Sequence, residues 1–251
     1  MSERSRSERG AALALEVLFL DDDLAVVAKP AGMPSVPGRN TPPSAIELLS
    51  RQPELSGHGG LRVVHRLDRG ASGVLVFART LAAQRGLVQQ FMERRIEKVY
   101  LALVSGYVAE DGEIDLPLYF NSRMQRAEVN HSKGKPSLTR YHIVERLAGH
   151  TVLECRPITG RMHQIRAHLA AIGHPLGVDP TYGGRESILL SEFKPDYRVN
   201  RSGQERPLIE RLTLHAARIS FEHPISGAAI SCEAPLPKDM RATIRQLARL
   251  A

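Results

Sequence analysis

Residues 61–77 read LRVVHRLDRGASGVLVF. Two strand-like runs, Leu61 to Val64 and Val74 to Phe77, bracket a turn-rich segment in which Asp68 is followed by Gly70, Ser72 and Gly73. Small residues around one carboxylate, between two β-rich runs, predict a tight loop that turns Asp68 towards a cleft. The commoner fate of such an aspartate is a surface turn in which it binds backbone amides.

Upstream, LEVLFLDDDLAVVAK (residues 15–29) predicts a hairpin turning at Asp21-Asp22-Asp23. Pro30, Gly32, Pro34, Pro37 and Gly38 then fix an ordered loop in KPAGMPSVPGR (29–39), and Ser44 caps a short helix to Arg51. Downstream, Leu81, Leu87, Val88, Phe91 and Met92 recur at helical spacing over 81–95. A strand over Lys98 to Val104 and several short β segments through Arg156 follow. A second helix is expected over 160–173, opened by Thr159-Gly160 and closed by Gly173 before Pro175. The charged, weakly patterned stretch Arg185 to Arg211 predicts a surface excursion, partly helical. Leu212 to Phe221 and Ala229 to Cys232 predict late strands, and Met240 to Ala251 a basic helix. Many short strands with few helices predict an α+β fold with a mixed, mainly antiparallel sheet. No linker divides it, so one domain is expected over 12–251.

The tail, residues 1–11, is polar, lacks the apolar segment of a signal peptide, and is expected to be disordered. Of the 251 residues 42% are hydrophobic and 24% charged, ordinary values for a soluble protein. Apolar stretches such as Gly73 to Ala78 are too short to cross a bilayer, so a cytoplasmic protein without a membrane partner is expected. Cys155 and Cys232 lie far apart with no CxxC, which fits two core thiols. The 34 Lys plus Arg against 27 Asp plus Glu leave a net +7, and this excess favours a polyanionic partner.

Two further positions break local rules. On the helix GRMHQIRAHLAAIG, at about 100° per residue, Met162, Ile165, Leu169 and Gly173 form a stripe, and Arg166 falls inside it. An arginine there either snorkels out or meets a buried anion, for which Asp68 is the candidate. In EKVYLALVSG, Tyr100 shares a strand face with Ala102 and Val104, which leaves room beside its ring. A satisfied core tyrosine would show the same pattern. His163 and His168 stand about 140° apart on a helix, unlike the histidines of an HExxH pair, which counts against a metal hydrolase.

HRLDRGASGVLVFA closely resembles the HRLDxxTSG signature of the RluA family of pseudouridine synthases. KPAGMPSVPGR is similar to the family's substrate-loop segment. EKVYLALVSG, GRMHQIRAHLAAIGHPLGVDPTYGG and LHAARISFEHP match its later motifs in order, so the resemblance runs from about Leu15 to Pro237. Five ordered motifs are far more specific than any one of them. Ala71 stands where the family usually carries threonine, and Ala28 where asparagine is common. No S4-type RNA-binding module is expected ahead of the catalytic region.

The resemblance implies a pseudouridine synthase fold with an RNA-binding cleft. It also implies isomerisation of uridines in ribosomal RNA or tRNA after base flipping. Asp68 matches the family's catalytic aspartate, Tyr100 its base-stacking tyrosine, and Arg166 the arginine paired with that aspartate. Arg66 matches the arginine that enters the RNA helix in place of the extruded nucleotide. Proximity adds Arg62 and Arg69, with Arg79, as phosphate contacts, and His65, Lys29, Arg161 and His163 complete the expected RNA-binding set. The reaction exchanges a carbon–nitrogen for a carbon–carbon bond without redox change or hydrolysis, so neither metal nor cofactor is expected. Asp68 can act as nucleophile at the sugar or the ring, or as base towards a sugar proton. RNA without DNA is the expected partner and a monomer the expected state. The alternative is a non-catalytic RNA-binding or ribosome-assembly protein.

Overall fold

The Asp21 carboxylate accepts hydrogen bonds from the amides of Asp23 and Leu24 at 2.9 and 2.7 Å, closing the expected hairpin turn between β1 (Glu16–Leu20) and β2 (Leu24–Lys29). The structure is a computed structural model that describes residues 15–38, 41–52, 60–194, 196–198 and 205–251. The expected tail at 1–11, Arg39 of the proline-rich loop, and Pro195 and 199–204 of the charged excursion lie outside the described residues.

Helix α1 (Ala45–Leu49) begins with a complete capping box, in which Ser44 and Glu47 satisfy each other's backbone amides. The chain continues through β3 (Arg62–Val63), β4 (Ser72–Ala78), α2 (Leu81–Met92), β5 (Glu97–Ser105), β6 (Gly112–Asp115), β7 (Leu118–Asn121) and β8 (Arg126–Val129). It ends through β9 (Leu138–Leu147), β10 (His150–Pro157), α3 (Gln164–Ala171), β11 (Leu214–Glu222), β12 (Ala229–Glu233) and α4 (Lys238–Ala248). Strands β7 and β8 pair separately, and the other ten form one sheet ordered β1-β2-β4-β11-β5-β10-β9-β6, with β3 on β4 and β12 on β11. This is the expected α+β fold with a mixed, mainly antiparallel sheet.

Among the described residues one strand pairing is parallel, between β4 and β11, where Ser72 faces His215 and Gly73 faces Ala216. The join is tight. Gly73 has φ +120°, and a Cβ there would lie 2.1 Å from the Ala216 carbonyl oxygen. The His215 imidazole donates from Nε2 to the Ala234 carbonyl (3.1 Å), which leaves Nδ1 to accept from the Ser72 hydroxyl at 2.9 Å. Strand β4 is buried along its whole length: Val74, Val76 and Ala78 pack with Ala83 and Leu87 of α2, while Leu75 and Phe77 pack with Leu49 of α1. Ala216 in turn pairs with Tyr100, and Tyr100 with Cys155. The loop carrying Asp68 therefore empties into a row, Gly73–Ala216–Tyr100–Cys155, that crosses the centre of the sheet.

Two expectations need correction. Residues 185–211 are not simply a surface excursion, because Ile188 and Ile209 pair across a bridge and lie buried with Leu103, Met240 and Leu247. The stretch is pinned at both ends by apolar burial. Helix α3 also starts later than expected. His163 adopts φ 54°, which interrupts the helix, and Gln164 accepts at Oε1 from the Thr159 hydroxyl (2.7 Å) and the Arg161 amide (3.0 Å) to form a turn. Met162, expected on the buried stripe, is 40% exposed as a result.

Candidate active site

Two loops meet at Asp68, and Lys29 joins them. Its ammonium, at the end of β2, is almost wholly buried and donates to the carbonyls of Ala71 (2.5 Å), Met33 (2.8 Å), Pro30 (2.9 Å) and Arg69 (3.4 Å). The Gly32 amide donates to Arg69 and the Arg69 Nε to Gly32, while Ser35 and Leu67 exchange two bonds of 3.0 Å. The proline-rich loop is thus stapled to the Asp68 loop before any substrate arrives. This corrects the expectation that Lys29 contacts RNA: no donor is left over.

Burial lowers the Lys29 pKa to about 8 from 10.5, against the pull of Asp68 and with a push from Arg211. The unfolded chain therefore holds this proton more tightly, and between pH 8 and 10.5 the stability that Lys29 contributes rises with pH. Urea midpoints of the wild type and Lys29→Met are expected to diverge in favour of the wild type across that window. The slope should be at most about 1.4 kcal/mol per pH unit. A difference independent of pH would contradict the burial.

Asp68 is 23% exposed and its Oδ2 accepts from Nη1 of Arg166 at 3.1 Å. The expected ion pair is present, but it is not the main bond of Arg166. Its Nε and Nη2 form a fork to Asp179, at 2.7 and 2.8 Å, and Asp179 is 1% exposed. Tyr182 lays its ring 4.9 Å from the guanidinium carbon, and its hydroxyl accepts from the Ala127 amide and lies 3.1 Å from His163 Nδ1. His163 presents Nε2 to Asp68 Oδ1 at 3.8 Å, and burial lowers its pKa in spite of the Asp68 charge.

Asp68, His163, Arg166, Asp179 and Arg211 line a cavity of about 320 Å³, within the size range of small ligand sites. Glu186 and Glu210 also line it, but the two carboxylates that Arg166 binds are held unequally. Asp179 has both oxygens committed, whereas Oδ1 of Asp68 accepts no hydrogen bond among the described residues, with His163 Nε2 3.8 Å away. Tyr100 packs beside the wall against Leu67, Ala71 and Ala216 rather than lining the cavity. Burial, with Asp68 adding to it, pushes the Tyr100 hydroxyl pKa upward, so the group stays protonated.

The remaining expected residues divide. Arg66 and Arg69 are exposed, and Arg66 makes no hydrogen bond or ion pair among the described residues. Arg62 and Arg161 are partly buried, each with an Nε that has no partner among the described residues. His65 is turned inward instead. Its Nε2 accepts from the Val76 amide (3.0 Å), its ring stacks 5.1 Å from Phe91, and burial lowers its pKa to about 3, with Lys98 adding to the effect. Arg79 is likewise buried and donates to the Asp21 carbonyl of the hairpin. Sequence reasoning missed Asp179 and Tyr182. Both lie in GVDPTYGG, where the crowding of Pro and Gly marks a turn but gives no hint of what its carboxylate binds.

The chain is similar to solved human pseudouridylate synthase domains. The human RNA pseudouridylate synthase domain containing 1 superposes with a TM-score of 0.69 at 29% identity, over 92% of this chain and 86% of that one. The human domain containing 4 gives 0.72 at 21% identity, over 92% of each chain, and speaks for the fold alone. The chain belongs to the RNA pseudouridylate synthase family, whose model matches residues 23–171. Ribosomal large subunit pseudouridine synthase D of Nitrosomonas europaea is 36% identical over 251 residues, which is 99% of this chain and 70% of that protein. The enzyme of that name from Xanthomonas campestris pv. campestris is 39% identical over 231 residues, 91% of this chain and 68% of that protein. The RluA-family resemblance of the motifs and these similarities agree. The chain is an RNA pseudouridine synthase, an isomerase.

Proposed function

We propose that this enzyme isomerises uridines of large-subunit ribosomal RNA and that Asp68 is its catalytic carboxylate. The observation that carries the assignment is the unequal pair of acids: Asp179 spends both oxygens on Arg166, whereas Asp68, which lines the cavity, takes a single bond from it and keeps Oδ1 without a hydrogen bond among the described residues. Attack at the sugar, attack at the ring and removal of a sugar proton all use a carboxylate oxygen placed in this way. A non-catalytic RNA binder gains nothing from a carboxylate turned towards phosphates.

The target base is inaccessible while stacked, so extrusion precedes chemistry at a cost of a few kcal/mol. Arg66 then fills the vacated space, Arg62, Arg69 and Arg161 hold phosphates, and Tyr100, packed beside the cavity wall, stacks on the base once that wall yields to it. The net charge of +7 supports a polyanion, and the names of the two bacterial relatives support ribosomal RNA ahead of tRNA. The protein works as a cytoplasmic monomer, with no DNA or membrane partner and no cofactor. Among the described residues no helix is long and apolar enough to span a membrane.

The test is release of tritium from C5 of labelled uridine in large-subunit ribosomal transcripts and in tRNA. Release from the ribosomal transcript is expected, and release confined to tRNA would refute the substrate assignment. Tyr100→Phe keeps the stacking face and is expected to retain kcat within about threefold, whereas Tyr100→Ala should lose about 10- to 100-fold in kcat/KM. A large loss in Tyr100→Phe would assign the hydroxyl a proton-transfer role instead.

A further inference from the structure

We propose that Asp179 is a positioning residue for the isomerisation: it fixes the plane of Arg166, and through it the Asp68 carboxylate. The inference rests on the reading of Asp68 as the catalytic acid.

A guanidinium is flat and offers its N–H groups in a rigid fork, so a two-point bond to one carboxylate sets the whole plane. Arg166 makes that bond to Asp179, at 2.7 and 2.8 Å, and reaches Asp68 with a single nitrogen at 3.1 Å. The ring of Tyr182, 4.9 Å from the guanidinium carbon, covers one face. The direction of Nη1, and hence the orientation of Asp68, is therefore decided on the buried side of the arginine.

Asp179 is itself held by its backbone. Its amide donates to the Arg185 carbonyl at 3.1 Å, and its carbonyl accepts from the amides of Tyr182 (3.1 Å) and Gly184 (2.9 Å). Gly184 has no room for a side chain, since a Cβ there would lie 2.6 Å from the Asp179 nitrogen and 2.3 Å from the Leu176 carbonyl oxygen. One turn, residues 179–184, thus delivers the fork and the covering ring together.

The charge balance also fits a device for holding Asp68 without disarming it. The Asp179–Arg166 pair is neutral as a unit, so Asp68 meets a directed N–H more than a full opposing charge. A substrate cannot displace Asp179, which is 1% exposed with both oxygens occupied.

Asp179→Glu keeps the charge but moves the fork by one methylene. Misplacing a catalytic group by about 1 Å costs on the order of 100-fold in rate, so kcat is expected to fall by about 10- to 100-fold. KM for the RNA should stay within twofold, and the melting temperature should be little changed. Asp179→Asn should lose at least as much kcat, because an amide cannot accept from both Nε and Nη2. Wild-type kcat in Asp179→Glu overturns the proposal. So does a parallel fall in kcat, RNA binding and melting temperature, or failure of Asp179→Glu to fold, each of which makes the residue structural. Asp68→Asn run alongside separates the two readings. If it still turns over, the catalytic assignment fails, and if it is inactive beside an unimpaired Asp179→Glu, the positioning role alone fails.

Discussion

Asp68→Asn is expected to lower tritium release from C5 of uridine by about 10⁴-fold, as loss of an essential reacting group does elsewhere. RNA binding should stay within about threefold. The substitution keeps the size of the side chain and one acceptor for Arg166, so the pocket should persist while the anion is lost. Affinity for RNA comes mainly from phosphates met by lysine and arginine, and those side chains are untouched. Asp179, the other carboxylate on Arg166, cannot take over, because both its oxygens are committed to that guanidinium. Activity above about one per cent of wild type would remove Asp68 from the mechanism.

Gly73→Ala is the second large effect, and it acts on the fold. The methyl group would meet the Ala216 carbonyl oxygen at 2.1 Å and its nitrogen at 2.6 Å, at a φ of +120° that L side chains rarely adopt. Backbone cannot yield as a flexible side chain would, so the parallel join of β4 and β11 has to open. A cost above about 4 kcal/mol is expected, which in a chain of this size corresponds to a fall in melting temperature of about 10 °C or more. The damage would spread to the site, because the Ser72–His215 bond and the row through Tyr100 cross the same join. A melting temperature within about 3 °C of wild type would show that the join is looser than described.

What could be read in the sequence was what local chemistry specifies. The Asp21 turn, the Ser44 cap, helix α2 and most strands are written in neighbouring residues. The ion pair of Asp68 and Arg166 was accessible from two oddities, a carboxylate in a small-residue loop and an arginine in an apolar stripe. The parallel join was not, because Ser72 and His215 are 143 residues apart and nothing local announces their meeting. Lys29 and His65 mislead for a different reason: charged and titratable types are mostly exposed, and only the three-dimensional supply of carbonyls and an amide makes their burial tolerable. His163 defeated the helical pattern because a left-handed residue leaves no mark on hydrophobic periodicity. Asp179 was hidden by its setting, a Pro- and Gly-rich turn that is indistinguishable in sequence from any surface turn.

The position taken by the target nucleotide decides whether Asp68 is the reacting group. A crystal structure of the Asp68→Asn variant bound to a substrate RNA should show the uridine unstacked, with its base in the cavity between Arg166 and the Tyr100 side of the sheet. Its C1′ should lie within about 4 Å of the side chain at position 68, close to near-attack distance. A uridine still stacked in its helix, or one lodged away from position 68, would contradict the assignment.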